Sequence, residues 1–277
     1  MGGTADLRRC AVLGDPIAHS LSPALHRAGY AAAGLPDWSY DAVRVPAGGV
    51  RSFVEGLEAE WRGLSVTAPL KRELLAVATE VTERARLVGA ANTLVLGPGG
   101  RLADNTDLPG AVAAIRERYD GPVTAATLLG AGATAASTGL ALVELGARSV
   151  TVLARSAERA AETASVIAAH PTAPRVVIGS LATDPAVGEV VVSTVPADAQ
   201  TDELVARCGD AAVLFEALYD PWPTPLAASA DGRPLVGGLD LLVHQAALQF
   251  ALFTDGPAPL AAMRLAGEVA LAERSVR

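Results

Sequence analysis

The sequence predicts an α/β protein built from two domains. Short apolar stretches alternate with Ala-rich amphipathic stretches along nearly the whole chain, a pattern typical of strands and helices around a mainly parallel sheet. The length of 277 residues favours two domains of ordinary size over a single one. With 51% hydrophobic and 19% charged residues, the chain can bury a large core, which excludes disorder.

The first part of the chain alternates strands and helices up to about residue 107. Its predicted elements are strands over residues 9–13, 38–45, 63–67 and 92–96, and helices over 23–33 and from about Leu70. Gly97-Pro98-Gly99-Gly100 is a strong turn signal at the end of the fourth strand.

A second series begins after Asp107 with a helix that runs to about Tyr119. A break at 120–122 is followed by predicted strands over 124–129, 149–153, 175–178, 189–192 and 211–215. This series is typical of one dinucleotide-binding unit, and two closing helices follow at 240–253 and 259–273. The domain boundary falls near residue 108.

Charge and cysteine usage exclude several classes of protein. The net charge is −8 and no run of Lys or Arg stands out, so nucleic acid is not an expected partner. Cys10 and Cys208 lie far apart and the chain has four histidines, so we expect no metal site and no disulfide, as in a reducing compartment such as the cytoplasm. Residues 1–9 lack an apolar stretch of signal-peptide length, and the apolar runs elsewhere are too short for a membrane span.

A glycine-rich turn opens the second series. The segment runs Gly130-Ala131-Gly132-Ala133-Thr134-Ala135, between an apolar strand and an Ala/Leu-rich helix. It fits the G-x-G-x-x-A form of the dinucleotide fingerprint, in which the helix N-terminus holds a pyrophosphate. An ordinary strand–turn–helix in an Ala/Gly-rich chain is the alternative.

The next strand ends in two arginines, at the position where NAD-binding units usually carry Asp or Glu. Arg155 and Arg159 lie one helical turn apart there, and Ser156 can donate a hydrogen bond or cap the following helix. Two guanidinium groups suit a 2′-phosphate, which favours NADP. The alternative is a solvated helix start, although arginine there works against the helix dipole.

Two serines follow the first strand. Ser20 and Ser22 can both offer hydroxyl groups from one loop, and Pro23 at the first helical position makes Ser22 a candidate N-cap. Capping explains Ser22 by itself, whereas Ser20 has no such structural explanation.

A third polar cluster lies at the carboxyl end of the 63–67 strand, where open α/β sheets bind their ligands. Thr67 and Lys71 occupy it, and Lys71 is predicted to lie in the first turn of a helix, where the dipole disfavours a cation. That placement favours a functional role over simple solvation.

Further polar residues lie at later strand ends. Asn92 begins the fourth strand, and Asp107 precedes Leu108-Pro109, where capping and function are equally plausible and compatible. Tyr219 opens a Pro-rich loop that simple turn rigidity also explains. Gln245 lies in a late helix, and a solvent-exposed position is its alternative.

Taken together and in order, these segments resemble the shikimate dehydrogenase family over nearly the whole chain. The resemblance rests on segments 14–23, 66–71, 90–93 and 105–107, on the glycine turn, on 219–225 and on Gln245. It implies a catalytic domain from 1–107 plus 239–277, a Rossmann-type NADP-binding domain at 108–238, and NADP-dependent interconversion of 3-dehydroshikimate and shikimate during aromatic amino acid biosynthesis. A cytoplasmic monomer or homodimer with no metal is expected.

The resemblance also implies roles for individual residues. Ser20 and Ser22 would hold the substrate carboxylate, and Lys71 with Asp107 would form the catalytic pair. The other substrate contacts would be Thr67, Asn92, Tyr219 and Gln245. The cofactor contacts would be Gly130 to Ala135, Arg155, Ser156 and Arg159, with Glu83, Leu218 and Gly238 at weaker cofactor-proximal positions.

Four positions depart from the family pattern: Ser65 and Arg27 stand where Asn is common, Ala133 where Gly is common, and Asp240 where Met is common. They leave open a quinate or aminoshikimate dehydrogenase on the same scaffold. A non-catalytic sensor of a shikimate-like ligand would be expected to lose Lys71, Asp107 or the cofactor arginines, and all are present.

Overall fold

The computed structural model describes residues 7–275. Its elements are β1 (Arg8–Gly14), α1 (Ser22–Ala32), β2 (Trp38–Arg44), α2 (Val50–Glu55), β3 (Trp61–Val66), a 3₁₀ helix (Glu73–Val77), β4 (Glu80–Val81), α3 (Glu83–Val88), β5 (Thr93–Gly97), β6 (Gly100–Asp104), α4 (Asp107–Arg118), β7 (Ala125–Leu129), α5 (Ala133–Glu144), β8 (Ser149–Ala154), α6 (Ala157–Ala168), β9 (Arg175–Ser180), β10 (Val190–Ser193), a second 3₁₀ helix (Ala197–Ala199), α7 (Asp202–Ala206), β11 (Val213–Glu216), α8 (Pro225–Ala228), β12 (Leu235–Val236), α9 (Gly238–Thr254) and α10 (Leu260–Ser275).

The chain divides into two compact units. One contains the residues up to Thr106 together with those from Leu242 onward, and the other runs from Asp107 to Leu241. The boundaries predicted from the sequence, 107/108 and 238/239, fall near these positions but not on them. The predictions made for residues 1–6 and 276–277 lie outside the described residues.

The first unit contains a mixed six-stranded sheet in the order β2-β1-β3-β5-β6-β4. β1 pairs in parallel with β2 and β3, whereas β5 is antiparallel to both β3 and β6. The register places Ser65 opposite Thr93, and Thr93 opposite Asp104. The ends of β1, β3 and β6 and the beginning of β5 therefore share one edge of the sheet.

The second unit contains six strands in the order β12-β11-β10-β7-β8-β9, and every pair is parallel. Its strands are near-continuous runs of Val and Leu because helices cover both faces of such a sheet. Leu128, Val152 and Phe215 are fully buried in its core. The first sheet has its own core around Leu13, Leu64 and other aliphatic side chains. The α/β fold class predicted from the sequence is confirmed.

Two details differ from the sequence prediction. The helix expected from Leu70 is a turn followed by a short 3₁₀ helix that starts at Glu73, because Leu70 closes a turn with Thr67 instead. The first unit also carries the short elements α2, β4 and α3 and the returning strand β6, which the sequence analysis did not identify. Within residues 7–275, no helix combines the length and apolar character that a membrane crossing requires.

Candidate active site

The loop after β1 presents the two serines in different environments. Ser20 is half-buried, and its Oγ accepts a hydrogen bond from the backbone N–H of Ser22 at 3.3 Å. Ser22 is itself the first residue of α1, 4% exposed, while Leu21 is the N-cap and offers no side-chain bond. The expected capping role of Ser22 is therefore wrong. Ser20 makes the local bond to backbone, and the buried Ser22 side chain lies close to the phenol of Tyr40.

The C-terminal helix also contacts this loop. Arg274 in α10 donates hydrogen bonds to the carbonyl oxygens of His19 at 2.7 Å and Ser20 at 3.4 Å. A guanidinium group bonded to consecutive carbonyls restricts the backbone that carries Ser20.

The turn after β3 lies against the serine loop. The Asp15 N–H bonds the Ala68 carbonyl at 3.1 Å, and a Cβ at Gly14 would collide with the Thr67 side chain, so only glycine fits there. Lys71 is half-buried, and its carbonyl accepts the Ala91 N–H at 2.8 Å. The dipole argument for Lys71 is wrong because no helix begins there, but Lys71 does lie at the polar edge of the sheet.

Asn92 organises the neighbouring strand ends. Its Oδ1 accepts the Thr106 N–H at 2.8 Å, and its Nδ2 donates to the Thr106 hydroxyl at 3.0 Å and to Gln245 Oε1 at 3.1 Å. Asn92 is 2% exposed and Gln245 7%, so Gln245 does not occupy the exposed position considered as its alternative. These bonds fix Thr106, whose chain neighbour is Asp107.

A buried hydroxyl network accounts for one departure from the family pattern. The Tyr40 phenol donates to the Ser65 hydroxyl at 2.6 Å, and Ser65 donates to Gln249 Oε1 at 2.8 Å. Gln249 in turn donates to the Asn92 carbonyl at 3.3 Å. Ser65 is 3% exposed, so it supports the site from beneath instead of lining it.

Asp104 closes β6 with an ion pair in which the carboxylate is buried and the Arg84 side chain is partly exposed. Its carboxylate accepts hydrogen bonds from both Arg84 and Thr82, the Thr82 bond at 2.6 Å, and it is 1% exposed. Burial raises the pKa of Asp104, but the bonds from Arg84 and Thr82 outweigh that cost and hold the pKa below its usual value. Asp107 follows as the first residue of α4 and is 5% exposed. A carboxylate is favourable at that end of a helix.

In the second unit, the glycine turn has the backbone that the dinucleotide fingerprint requires. Gly130 and Gly132 have φ values of +107° and +155°, and α5 starts directly after them at Ala133. A Cβ at Gly130 would lie 2.5 Å from the Thr194 hydroxyl oxygen. Ala133 departs from the family's glycine without strain because it is already helical. At Gly139 of α5, a position the sequence analysis did not single out, a Cβ would collide first with Ile167 of α6 and then with Leu128 of β7.

The glycine turn and the two arginines line one cavity of about 470 Å³. Arg155 lies between β8 and α6, whereas Arg159 lies within α6. The prediction that the two arginines share one helical face is therefore wrong. Arg159 Nη2 lies 3.5 Å from where a Cβ of Gly132 would stand. Ser156 is the N-cap of α6, since its Oγ accepts the Arg159 N–H at 3.2 Å and also donates to Glu158 at 2.8 Å.

Leu218, Tyr219 and Gly238 form a second cluster in this unit. A Cβ on Gly238 would lie 2.5 Å from the carbonyl oxygens of Ala217 and Leu218, so the close contact requires glycine. Tyr219 is half-buried in the loop that follows. Asp240 is one of the four positions that depart from the family pattern. Its carboxylate accepts the Gly237 N–H at 2.9 Å and pairs with Arg118 at 2.9 Å, and these two contacts stabilise the start of α9.

Two remaining positions have ordinary structural explanations. Glu83 is exposed in the first turn of α3, where a carboxylate favours the dipole. Arg27 is on the surface, where it bonds the Tyr40 carbonyl and the Asp41 carboxylate, both at 2.8 Å. The cofactor role of Glu83 stays a prediction.

The cavity in the second unit fits a dinucleotide. Gly130 and Gly132 keep side chains away from the turn, the start of α5 directs backbone N–H groups toward it, and two guanidinium groups line the same space. This combination suits an anionic ligand with more than one phosphate group. Across residues 7–275, no group of three or more His, Cys, Asp or Glu side chains has a metal-binding arrangement.

Comparisons with known proteins identify the family. Residues 12–94 match the model of the shikimate dehydrogenase substrate binding domain, and residues 238–265 match that of the shikimate 5′-dehydrogenase C-terminal domain. The NADP(+) shikimate dehydrogenase of Methylobacterium radiotolerans is 36% identical over 91% of this chain and 92% of its own length.

Two solved structures show the same fold. Shikimate dehydrogenase of Mycobacterium tuberculosis superposes with a TM-score of 0.84 at 39% identity, over 95% of this chain and 99% of the other. Quinate dehydrogenase of Corynebacterium glutamicum, solved in complex with NAD, has a TM-score of 0.84 at 25% identity, over 95% and 99%. This chain is therefore an oxidoreductase that belongs to the shikimate/quinate dehydrogenase family.

Proposed function

We propose that this protein catalyses the NADP-dependent, reversible reduction of 3-dehydroshikimate to shikimate in the cytoplasm. The observation that carries the proposal is the polar edge of the first sheet, where the serine loop, the Thr67–Lys71 turn and Asn92 meet. A small polyhydroxylated acid needs this combination of neutral hydroxyl and amide donors with one cation.

Ser20 and Ser22 bind the substrate carboxylate in this proposal. The half-buried Ser20 hydroxyl keeps its proton for a ligand because its oxygen accepts the Ser22 N–H. Ser22 is more deeply buried, at 4% exposed, so we assign it the smaller part of the carboxylate affinity. Thr67, Tyr219 and Gln245 contact the ring hydroxyls, and Asn92 contributes largely by orienting Gln245 and Thr106.

Lys71 and Asp107 act as the catalytic pair. Bound NADPH supplies the hydride. Reduction of the ring ketone puts negative charge on its oxygen, and a protonated Lys71 ammonium group stabilises that charge and delivers the proton. Asp107, the first residue of α4, accepts a hydrogen bond from a neighbouring substrate hydroxyl and orients the ring.

NADP is the proposed cofactor because both arginines line the cavity that contains the glycine turn. Gly130 to Ala135 hold the pyrophosphate, Arg155 and Arg159 hold the 2′-phosphate, and Leu218 with Gly238 lie near the nicotinamide. Ser156 is already occupied as a helix cap and by Glu158, so its contribution to the phosphate is small.

A quinate dehydrogenase on the same scaffold is the second candidate, since the family includes one. Quinate has a saturated ring with an additional hydroxyl. Family members that accept it often carry Thr at one of the two serine positions, and this chain keeps Ser20 and Ser22. We therefore favour shikimate.

The deciding experiment follows the absorbance of the reduced nicotinamide cofactor. Purified protein is assayed with NADPH and 3-dehydroshikimate, with NADH and 3-dehydroshikimate, and with quinate plus either oxidised cofactor. We expect the largest kcat/KM for the first pair. Faster turnover of quinate with NAD would replace this proposal with the quinate assignment.

A further inference from the structure

One buried carboxylate of the second unit has no part in the proposed chemistry. Glu216 ends β11 and is 0% exposed. Its Oε1 accepts the Leu218 N–H at 3.0 Å, and its Oε2 accepts bonds from the Gln200 amide at 2.7 Å and the Thr224 hydroxyl at 2.8 Å. All three donors are neutral, so the carboxylate is held by hydrogen bonds instead of an ion pair with them.

These bonds connect the two ends of one loop. Leu218 begins the segment that carries Tyr219, and Thr224 ends it, with residues 220–223 exposed between them. Both ends bond to the same side chain, which removes much of the freedom that an exposed loop otherwise has.

The surrounding contacts make the attachment specific. The Thr224 hydroxyl also accepts the Ala227 N–H at 3.2 Å as the N-cap of α8, and Gln200 Oε1 accepts the Leu226 N–H at 2.9 Å. Because donors approach both oxygens of Glu216, the position requires an acceptor on each side. An amide cannot satisfy it, since its NH₂ group would face another donor.

We propose that Glu216 is a positioning residue that fixes the loop from Leu218 to Thr224, so that Leu218 and Tyr219 are held ready for cofactor and substrate. The inference rests on the proposed function, in which Leu218 lies near the nicotinamide and Tyr219 contacts the substrate. Glu216 touches neither ligand and acts through the loop.

Glu216→Gln tests this role, with Glu189→Gln as the matched control. Glu189 is half-buried and accepts two backbone N–H groups and a threonine hydroxyl, from Thr124 and Ala125, at the opposite end of the same sheet. The two variants make the same chemical change to a carboxylate held by three neutral donors, a threonine hydroxyl among them in each case. Only Glu216 connects to the loop.

Three measurements separate local from global effects. The first is hydrogen exchange at the Leu218 amide, the second is kcat/KM for 3-dehydroshikimate with NADPH, and the third is the affinity for adenosine 2′,5′-bisphosphate, which probes the arginine-lined cavity without the nicotinamide. For Glu216→Gln we expect lost protection at Leu218 and a fall in kcat/KM of at least about tenfold, or about 1.4 kcal/mol. Bisphosphate affinity should stay within about twofold.

The control should keep Leu218 protection and kcat/KM. Retained protection together with a nearly unchanged kcat/KM in Glu216→Gln would overturn the proposal, as would an equal loss in Glu189→Gln. If the wild-type protein does not turn over 3-dehydroshikimate, the proposed function fails, while the exchange measurement still decides whether Glu216 fixes the loop.

A second pair covers the case in which Glu216→Gln does not fold. Thr224→Ser keeps the hydroxyl that bonds Glu216, and Thr224→Val removes it at nearly the same volume. We expect Thr224→Val to raise exchange at Leu218 and lower kcat/KM, and Thr224→Ser to behave as wild type. Equal behaviour of the two variants would contradict the proposed attachment.

Discussion

Replacing Arg155 and Arg159 together with alanine tests the cofactor assignment directly. NADPH and NADH share the pyrophosphate, so the glycine turn cannot distinguish them, and discrimination must come from groups near the 2′-phosphate. Both arginines are exposed and line the same cavity. The double variant should lose most of the preference for NADPH, mainly by binding NADPH more weakly.

The size of the expected preference for NADPH follows from the number and solvent exposure of the hydrogen bonds between the two arginines and the 2′-phosphate. A hydrogen bond to a charged group contributes about 1.5–3 kcal/mol, and two at the low end would give about 3 kcal/mol. Solvent exposure and salt reduce this value, and Glu158 places an exposed carboxylate close by, bonded to Ser156 at 2.8 Å. We therefore expect a wild-type preference of at least about tenfold, or about 1.4 kcal/mol.

The assay compares kcat/KM for NADPH and NADH across a range of salt concentrations. The preference should decrease as salt rises, because the Debye length shortens from about 30 Å at 0.01 M to about 3 Å at 1 M. Arg175→Ala is the matched control, since Arg175 is an exposed arginine at the opposite end of the same sheet. Equal use of NADH and NADPH by the wild-type protein at low salt, or unchanged selectivity in the double variant, would refute the assignment.

Three further predictions concern the first unit. Lys71→Ala should lower kcat by about 10²–10⁴, with a smaller effect on substrate affinity, in steady-state assays; retention of more than about a third of kcat would exclude Lys71 as the acid–base group. Ser20→Ala should raise KM for 3-dehydroshikimate more than Ser22→Ala, with NADPH affinity unchanged in both; an unchanged KM in the double variant would remove the carboxylate role. Asp104→Asn should lower Tm at pH 7 because it removes the ion pair with Arg84, and the difference from wild type should begin to shrink as pH falls below about 4 and vanish only below the depressed pKa of the folded state, since the carboxyl stabilises the fold only while ionised; an equal difference at every pH would contradict this.

Much of the candidate site was predictable because ligand-binding residues of an α/β sheet gather at strand ends. Thr67 follows β3 and Arg155 follows β8, and each was identified from its place after an apolar run. Periodicity locates a strand end to within a residue or two, which is enough to nominate the polar side chain beside it.

Local rules failed where a tertiary contact took their place. Ser22 before Pro23 has the signature of an N-cap, yet its side chain turns into the core toward Tyr40, and the bond to backbone comes from Ser20. Lys71 was expected at a helix start, but the Leu70–Thr67 turn delays the helix. The Ser22 outcome depends on Tyr40, which is distant in sequence, so short-range patterns cannot reveal it, whereas the turn before Lys71 is local and was overlooked.

The supporting residues were missed for a different reason. Ser65, Glu216 and Gln249 are each at most 3% exposed and belong to hydrogen-bond networks whose members lie far apart in the chain. An isolated polar residue inside an apolar run carries no indication of its partners. Ser65 was noticed only because it departs from the family pattern, and its function as a bridge became visible only in the structure.

The contrast between exposed ligand-binding groups and buried supporting groups has a physical basis. Under the proposed function Lys71 and Arg155 exchange water for ligand, and both are at least partly accessible. Asp104 and Glu216 never meet solvent, and their hydrogen bonds are satisfied before any ligand arrives. A site whose supporting network is already complete loses little free energy to reorganisation when charge develops during the reaction. Because Glu216 bonds both ends of the loop that carries Tyr219, a proposed active-site residue, the polar interior of the second unit is best understood as the part of that unit that holds this residue in place.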